Sequence, residues 1–531
     1  MPEAQTKGRD EEFGIPPITI SPITGASGAI NWGGLNKFNS ASRWVIADSE
    51  ADELINWVPQ LSAFQQVPGP GPLLATLAAP VIWSYSDILN GNLYTWYLCS
   101  NGHIYQVSLT GATVTDLGSG FATGMNQCDI AIWQGNQVII NDFVAAKVYA
   151  WNGSALTTLF SSQPEQFLAV YAGRLWMSNG LVITWTASGT YNSLSGDSGS
   201  FAITDGHCNN PVIGMRDLLG SLYVFGSNWI KTINNLVDVG TPAVLVFQQP
   251  TLNSSVSINT KWSLIDSGSS FYFANQYGFW TCSGTVPQKI STQLDGFFQN
   301  LNAASSFTGA YTEIQKKPCL LWQAQWNGDG NNTVFGLTSD GLWFRVIPVT
   351  GTGTGSVARI SGQVSSFVTN NEPIVFMTDP SGHIYNLFGG SSTVTSTMNS
   401  KIWDFLSKLD YDLYTNFAIQ FVIFSATTLT ISELDSSGVV SGPAQPAGPR
   451  TYTYSPNQGQ WINNAGVQGN WINAAHTQGT WFAMSPAYFV LEQAVVPYQE
   501  RAMGVNITIS SIGAVLHSFV VSYRKMEAAK G

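Results

Sequence analysis

At 531 residues the chain is too long for one hydrophobic core and predicts two to four domains. Charged residues make up 10% of it, while aromatics reach 12% and glycines number 52; this balance excludes disorder and points to turn-rich β structure. A net charge of −11, with 21 Lys and Arg and no basic run, excludes a protein that grips nucleic-acid phosphates.

Met1 to Phe13 is polar and lacks the apolar core of a secretory signal, so synthesis in a reducing cytoplasm is expected. Residues 1–80 read as an extended entry segment. It carries Ile30-Asn31-Trp32-Gly33-Gly34, Asn56-Trp57-Val58-Pro59 and then Pro68-Gly69-Pro70-Gly71-Pro72, which can be neither helix nor central strand.

Residues 81–395 repeat a short aromatic phrase. Gly102-His103-Ile104-Tyr105 returns as Gly382-His383-Ile384-Tyr385. Between them stand Lys147-Val148-Tyr149-Ala150-Trp151, Val182-Ile183-Thr184-Trp185, Trp229-Ile230-Lys231-Thr232-Ile233, Gly278-Phe279-Trp280-Thr281 and Gly341-Leu342-Trp343-Phe344. Seven phrases spaced about 35 to 63 residues apart predict an all-β fold, a β-propeller of about seven blades, with six to eight fitting the spacing. The competing reading is an irregular all-β chain whose aromatics recur by chance. Asn90-Gly91, Asn101-Gly102, Asn152-Gly153, Asn179-Gly180 and Asp340-Gly341 supply the positive φ of tight hairpins. Asp129–Trp133, Gln137–Ile140, Phe271–Ala274 and Pro373–Phe376 read as buried inner strands.

From 396 to 531 the pattern changes to a second β-rich domain. Lys401 to Leu409 fits a short helix or a strand through Ile402–Phe405. Strands follow at Phe417–Phe424, Tyr488–Val496, Val505–Ile509 and Ala514–Tyr523. The apolar stretch Phe417–Ile431 alternates and is interrupted by Gln420, Ser425 and Thr427, so it is a strand rather than a membrane span. Within 458–484, Gln458-Gly459-Gln460-Trp461 recurs as Gln468-Gly469-Asn470-Trp471 and Gln478-Gly479-Thr480-Trp481, with Asn463 and Asn473 following the first two tryptophans. Ten-residue units cannot bury a core of their own. Either they project and pack against copies of themselves, or they form a long hairpin that covers this domain's own core.

No reaction chemistry is legible, so no catalytic, cofactor-binding or metal-binding residue is expected. Gly196-Asp197-Ser198-Gly199 copies a trypsin-like nucleophile tetrapeptide but lacks the triad's other partners. The same turn partly matches the Asp-box of sialidase-type propellers without its Thr-Trp. Asn327, Asp329 and Asn331 have calcium-loop spacing, but Asn332 stands where Gly is required and Thr338 where Glu is. The five histidines, His103, His207, His383, His476 and His517, do not pair at ligand spacing, and the five cysteines, Cys99, Cys128, Cys208, Cys282 and Cys319, read as small buried thiols. Asp205, Asp266 and Asp340, the carboxylates a propeller hydrolase would call on, show no partners in sequence.

Three features together resemble the tail nozzle family of short-tailed bacteriophages, also called tail tubular protein B or packaged-DNA stabilisation protein. They are the entry Asn56-Trp57-Val58-Pro59 with Val67-Pro68-Gly69, blade phrases such as Gly102–Tyr105 and Asp340–Trp343, and the Trp461/Trp471/Trp481 repeat. That repeat is similar to the Trp-x-Asn-Asn-x-Gly repeats of phage tail proteins, departing from them at Trp471-Ile472-Asn473-Ala474. The resemblance implies a virion structural protein without catalysis or cofactor: a homohexameric ring on the tail adaptor below the portal, with tail fibres or spikes as further partners. Double-stranded DNA would pass through the lumen without sequence-specific binding, and no membrane insertion is implied. Trp461, Trp471, Trp481, Asn463 and Asn473 are then the candidate ring-contact or tip residues. The alternative is a non-catalytic propeller that binds a host-surface glycan through exposed Trp and Asn in equivalent blade pockets.

Overall fold

The computed structural model describes residues 50–400 apart from 61–62, 109–112, 119–120, 123–124, 126–127, 299–306, 325–332, 349–358 and 363–372, together with 18–20 and 34–35. Beyond 400 it describes 411–423, 425, 427–434, 450–454, 461–462, 468–469, 471–472, 478–479, 487–500 and 504–526. Strands dominate, and helix is limited among the described residues to single turns at Lys261–Ser263, Thr292–Leu294 and Asp295–Phe298. The stretch 401–409 lies outside the described residues. The chain divides into two units, one of residues 68–392 and one of 1–67 with 393–531.

The 68–392 unit is a seven-bladed β-propeller, each blade an antiparallel sheet of four strands or more. Blades 1 to 6 follow the chain: 81–116, 130–160, 167–202, 212–253, 265–289 and 308–346. Blade 7 takes three strands from the end of the unit, Arg359–Gly362, Val375–Thr378 and His383–Asn386, and its outer strand, Leu73–Thr76, from the beginning. That outer strand falls within the stretch read from sequence as entry segment, and it closes the ring. The proline-glycine run beside it lies flat against the last blade: Gly71 N–H donates to the Asn386 carbonyl at 2.7 Å and Gly390 N–H to the Gly69 carbonyl at 2.9 Å. A Cβ on Gly390 would sit 1.8 Å from the Pro70 carbonyl oxygen, so backbone approaches backbone where only glycine fits.

Two-residue turns set the blades' hairpins. Asn90 and Gly91 adopt φ of 51° and 75° and join the first two strands of blade 1 in register, Leu89 opposite Asn92. Six of the seven aromatic phrases lie on or at the start of third strands. The sixth in order, Gly341–Phe344, leads instead into the fourth strand of its blade, Trp343–Val346. Their aromatics fill the seams between neighbouring blades. Phe279 of blade 5 meets Trp322 and Trp343 of blade 6 at ring-centroid distances of 4.8 and 4.9 Å. Trp176 and Trp185 of blade 3 meet Phe247 of blade 4 edge-on. Each such pair contributes about 0.5–1.5 kcal/mol beyond its buried area. All five cysteines are free and buried, and burial pushes the Cys99 and Cys319 thiols up to about 12, so they stay protonated and serve as small apolar filling.

The second unit is built from both ends of the chain in two sheets. One runs in the order Trp57–Pro59, Phe64–Gln66, Val515–Met526, Tyr411–Ile423 and Ala487–Glu500, with Ile18–Ile20 pairing on Val515–Met526. The other orders Glu50–Ile55, Val394–Ser400, Gly504–Ser511, Thr427–Leu434 and Arg450–Tyr454, with Gly34–Leu35 parallel to Glu50–Ile55. Gln66 ties them together. Its fully buried amide donates to the Val394 carbonyl at 2.7 Å and to Ser396 Oγ at 2.9 Å, and its Oε1 accepts from Ser511 Oγ at 2.9 Å and Ala514 N–H at 3.1 Å. Both amide atoms are satisfied, which lets so polar a group sit in a core.

Replacing Gln66 by Ala leaves several buried partners unsatisfied and opens a cavity. The expected loss is about 2–4 kcal/mol, read as a lower chemical-denaturation midpoint for the unit of 1–67 and 393–531.

Candidate functional site

The innermost strands of blades 1 to 5 converge on a cavity of about 380 Å³ at the propeller axis. Its walls are Ile88, Ile130, Ile132, Val170 and Met215, and into these apolar surroundings come Asp87, Arg216, Asp217, Lys261 and Asp266. In sequence they are one or two charges set among apolar residues, such as Met215-Arg216-Asp217-Leu218.

One ion pair organises the wall. Lys261, on the turn before blade 5, donates to both oxygens of Asp129 at 2.9 and 2.7 Å and to the Leu168 carbonyl at 2.7 Å. Asp129 also accepts from the N–H groups of Ile130 and Leu168 at 2.8 and 2.7 Å. Blades 2 and 3 and the 261 turn are thereby stapled by groups 0% and 3% exposed. Burial pushes Asp129 up and Lys261 down, each towards neutrality, and their mutual attraction opposes it. Donors alone surround Asp129, which favours the charged pair. Beside it the buried Asn141 donates to the carbonyls of Glu165 and Gln166, both at 2.8 Å, and accepts from Asp129 N–H.

The remaining wall charges make fewer hydrogen bonds. Asp87 accepts from Tyr85 Oη–H at 2.9 Å and from Ile88 N–H at 2.8 Å. Asp266 accepts from Gly268 N–H at 2.7 Å. Asp217 meets solvent in the cavity yet is ringed by protein. Enclosure first, and then the charge of Asp266, pushes its carboxyl up to about 6, with Arg216 opposing.

The structure places the sequence candidates elsewhere. Trp461 and Trp471 each open a two-residue strand: Trp461–Ile462 pairs with Gln468–Gly469, and Trp471–Ile472 with Gln478–Gly479. The ten-residue period of the sequence is thus a period of hairpins, each Trp opposite the Gly of the next unit. Trp481, Asn463 and Asn473 lie outside the described residues, as do Asn327, Asp329, Asn331 and Asn332.

Of the three carboxylates considered for hydrolysis, Asp266 alone reaches the axial cavity. Asp205 has partners after all: the His207 N–H at 3.0 Å first, then Lys231 at 3.1 Å and Thr251 at 3.0 Å, hold it well below the usual carboxylate range. Asp340 pairs with Lys317 at 2.5 Å. Asp197, in the Asp-box-like turn, is bonded at 2.5 Å by the buried Arg174, which also grips Asp238 at 2.8 Å, so this turn is a structural corner of blades 3 and 4. His103 and His383 both stand at the start of third strands and both pair through Nδ1 with an aspartate, Asp116 at 2.9 Å and Asp379 at 2.7 Å. Among the described residues no three His, Cys, Asp or Glu side chains gather to hold a metal, and no helix is long and apolar enough to cross a membrane.

No family model matches the chain, and no curated protein matches it. Among solved structures it is similar to a streptogramin B lyase, at 12% identity and a TM-score of 0.39 over 59% of this chain and 95% of that one. It is also similar to the extracellular domain of a one-component system from B. thetaiotaomicron, at 9% identity and a TM-score of 0.39 over 61% of this chain. The chain spans 41% of that second protein. Likenesses this distant carry no activity across. The propeller rests on its own seven sheets.

Two substitutions test the wall. Lys261→Met strands a buried carboxylate and is expected to cost about 3–5 kcal/mol, read in thermal or urea melts. Glu165, 3% exposed and pushed up to about 7 by burial, penalises the fold when ionised. The penalty is full above pH 7 and vanishes as pH falls below the ordinary value of 4.5. Glu165→Gln is therefore expected to stabilise at pH 8 by up to about 3 kcal/mol and to change little at pH 4.5.

Proposed function

We propose that the chain is a tail nozzle subunit of a short-tailed bacteriophage, a structural virion protein made in the bacterial cytoplasm and built into the tail. Six copies form a ring on the adaptor below the portal, retain the packaged genome and conduct it at ejection.

The observation that carries the reading is the insertion. The propeller is one uninterrupted cassette, 68–392, set between two strands of a β unit assembled from both chain ends. A rigid body carried on a β scaffold suits a brace between subunits or a dock for fibres, while the scaffold builds the ring. The scaffold's three adjacent strands of 12 to 14 residues, Val515–Met526, Tyr411–Ile423 and Ala487–Glu500, would each span roughly 40–45 Å at about 3.3 Å per residue. That length suits a channel wall. The Trp hairpins at ten-residue spacing supply short repeated units that need a neighbour, and Trp461 and Trp471 are assigned to ring contact or to the distal tip. Net charge of −11 keeps DNA phosphates from adhering to the conduit.

The glycan-binding alternative calls for exposed blade tryptophans. Among the described residues Trp83, Trp96, Trp133, Trp151, Trp176, Trp185, Trp229, Trp262, Trp322 and Trp343 are instead buried, and Trp280 is half-buried with its indole N–H bonded to Asn275, which favours the structural reading.

Quantitative mass spectrometry of purified particles is expected to count about six copies per twelve-subunit portal. Trp461→Ala with Trp471→Ala is expected to lower ring assembly or DNA retention. Absence of the protein from particles overturns the assignment; normal tails and full heads in the double variant overturn the role given to the tryptophans.

A further inference from the structure

The axial cavity holds charged groups that the propeller's own bonding leaves unspent. Arg216 donates one bond, from Nη1 to the Leu264 carbonyl at 3.3 Å, and its other N–H groups have no partner among the described residues. The Asp217 carboxylate accepts no hydrogen bond among the described residues. Asp266, close enough to Asp217 for their charges to repel, spends one oxygen on Gly268 N–H. The other wall charges are committed, Asp87 to Tyr85 and Ile88, and Lys261 to Asp129.

A guanidinium and two carboxylates that line one cavity keep hydrogen-bonding capacity the protein leaves unused. They fit a ligand that brings the missing complements. The planar fork of Arg216 matches a carboxylate. The Asp217 and Asp266 pair matches an ammonium, whose three donors serve both carboxylates and relieve their repulsion. Ile88, Ile132 and Val170 offer an apolar wall beside these poles, and the volume of about 380 Å³ lies in the range of small-molecule sites.

We infer that the axial cavity binds a small zwitterion of the α-amino acid class, with its carboxylate on Arg216, its ammonium between Asp217 and Asp266, and its side chain along Ile88 and Ile132. The site belongs to the propeller alone and does not depend on the tail assignment.

The test is isothermal titration calorimetry of the full chain at neutral pH against the common L-amino acids, up to about 10 mM. Saturable one-site binding of one or a few is expected. The matching amine without its carboxylate, and the N-acetyl derivative without its ammonium, are each expected to bind at least about tenfold more weakly. Asp217→Asn and Arg216→Gln should each weaken binding by about tenfold or more with an unchanged far-ultraviolet spectrum. If Arg216→Gln does not fold, Asp217→Asn decides, since that carboxylate has no bond to lose. Three results overturn the inference: no amino acid binding at about 10 mM, an amine that binds as tightly as its parent amino acid, or full affinity in the Asp217→Asn variant.

Discussion

The structure depends on one small set of buried hydrogen bonds where the chain leaves its β scaffold and returns to it. Gln66 on the outgoing strand binds the carbonyl of Val394 and the hydroxyl of Ser396 on the returning one, and Asn56 donates to the Thr395 carbonyl at 2.8 Å. Two residues beyond Val67 the outgoing chain bridges the returning one again, Gly69 against Gly390. The propeller's two ends are thus held side by side, so a domain of more than three hundred residues is inserted without disturbing the register of the scaffold's strands.

Much of this was legible in the chain, and the failures have physical reasons. Aromatic phrases marked the blades because third strands are bounded by turns on both sides and packed on both faces. Blade 6 shifted the phrase to its fourth strand, since period-two alternation with a preceding Asp-Gly turn reads the same on either strand. Asn-Gly turns announced some hairpins. Ala172-Gly173, Leu219-Gly220 and Gln315-Lys316 hide others, holding positive φ at Ala172, Leu219, Gln315 and Lys316, which have no preference for it, so tertiary pairing adds to local chemistry in setting those turns. The entry segment's role was out of reach. Phe64–Gln66 pairs with Val515 and Leu516, some 450 residues away, and no local pattern encodes a partner at that distance.

The axial wall was hidden for a related reason. Asp129 and Lys261 are separated by 132 residues, and neither belongs to a motif. A single charge within a strand of buried neighbours reads as an exposed position, whereas here it faces an enclosed axis. Asp266 was noticed, but without Asp217 beside it nothing marked it off from Asp205 or Asp340, which are paired on the flanks. Arranging the blades in a ring brings such scattered charges together, and the ring is a property of the whole unit rather than of any window of sequence.

The closing strand has a consequence for how the protein is made. Leu73–Thr76 leaves the ribosome before any blade exists, and its partners His383–Tyr385 follow roughly three hundred residues later. At ordinary elongation rates that strand waits about 15 to 60 seconds, and until its partner arrives its backbone edges are unpaired. Such edges are sites of mispairing between nascent chains. The proline-glycine run next to the waiting strand is poor in ladder donors, and the strand itself is only four residues long. Both features limit premature pairing and reserve that edge for the last blade.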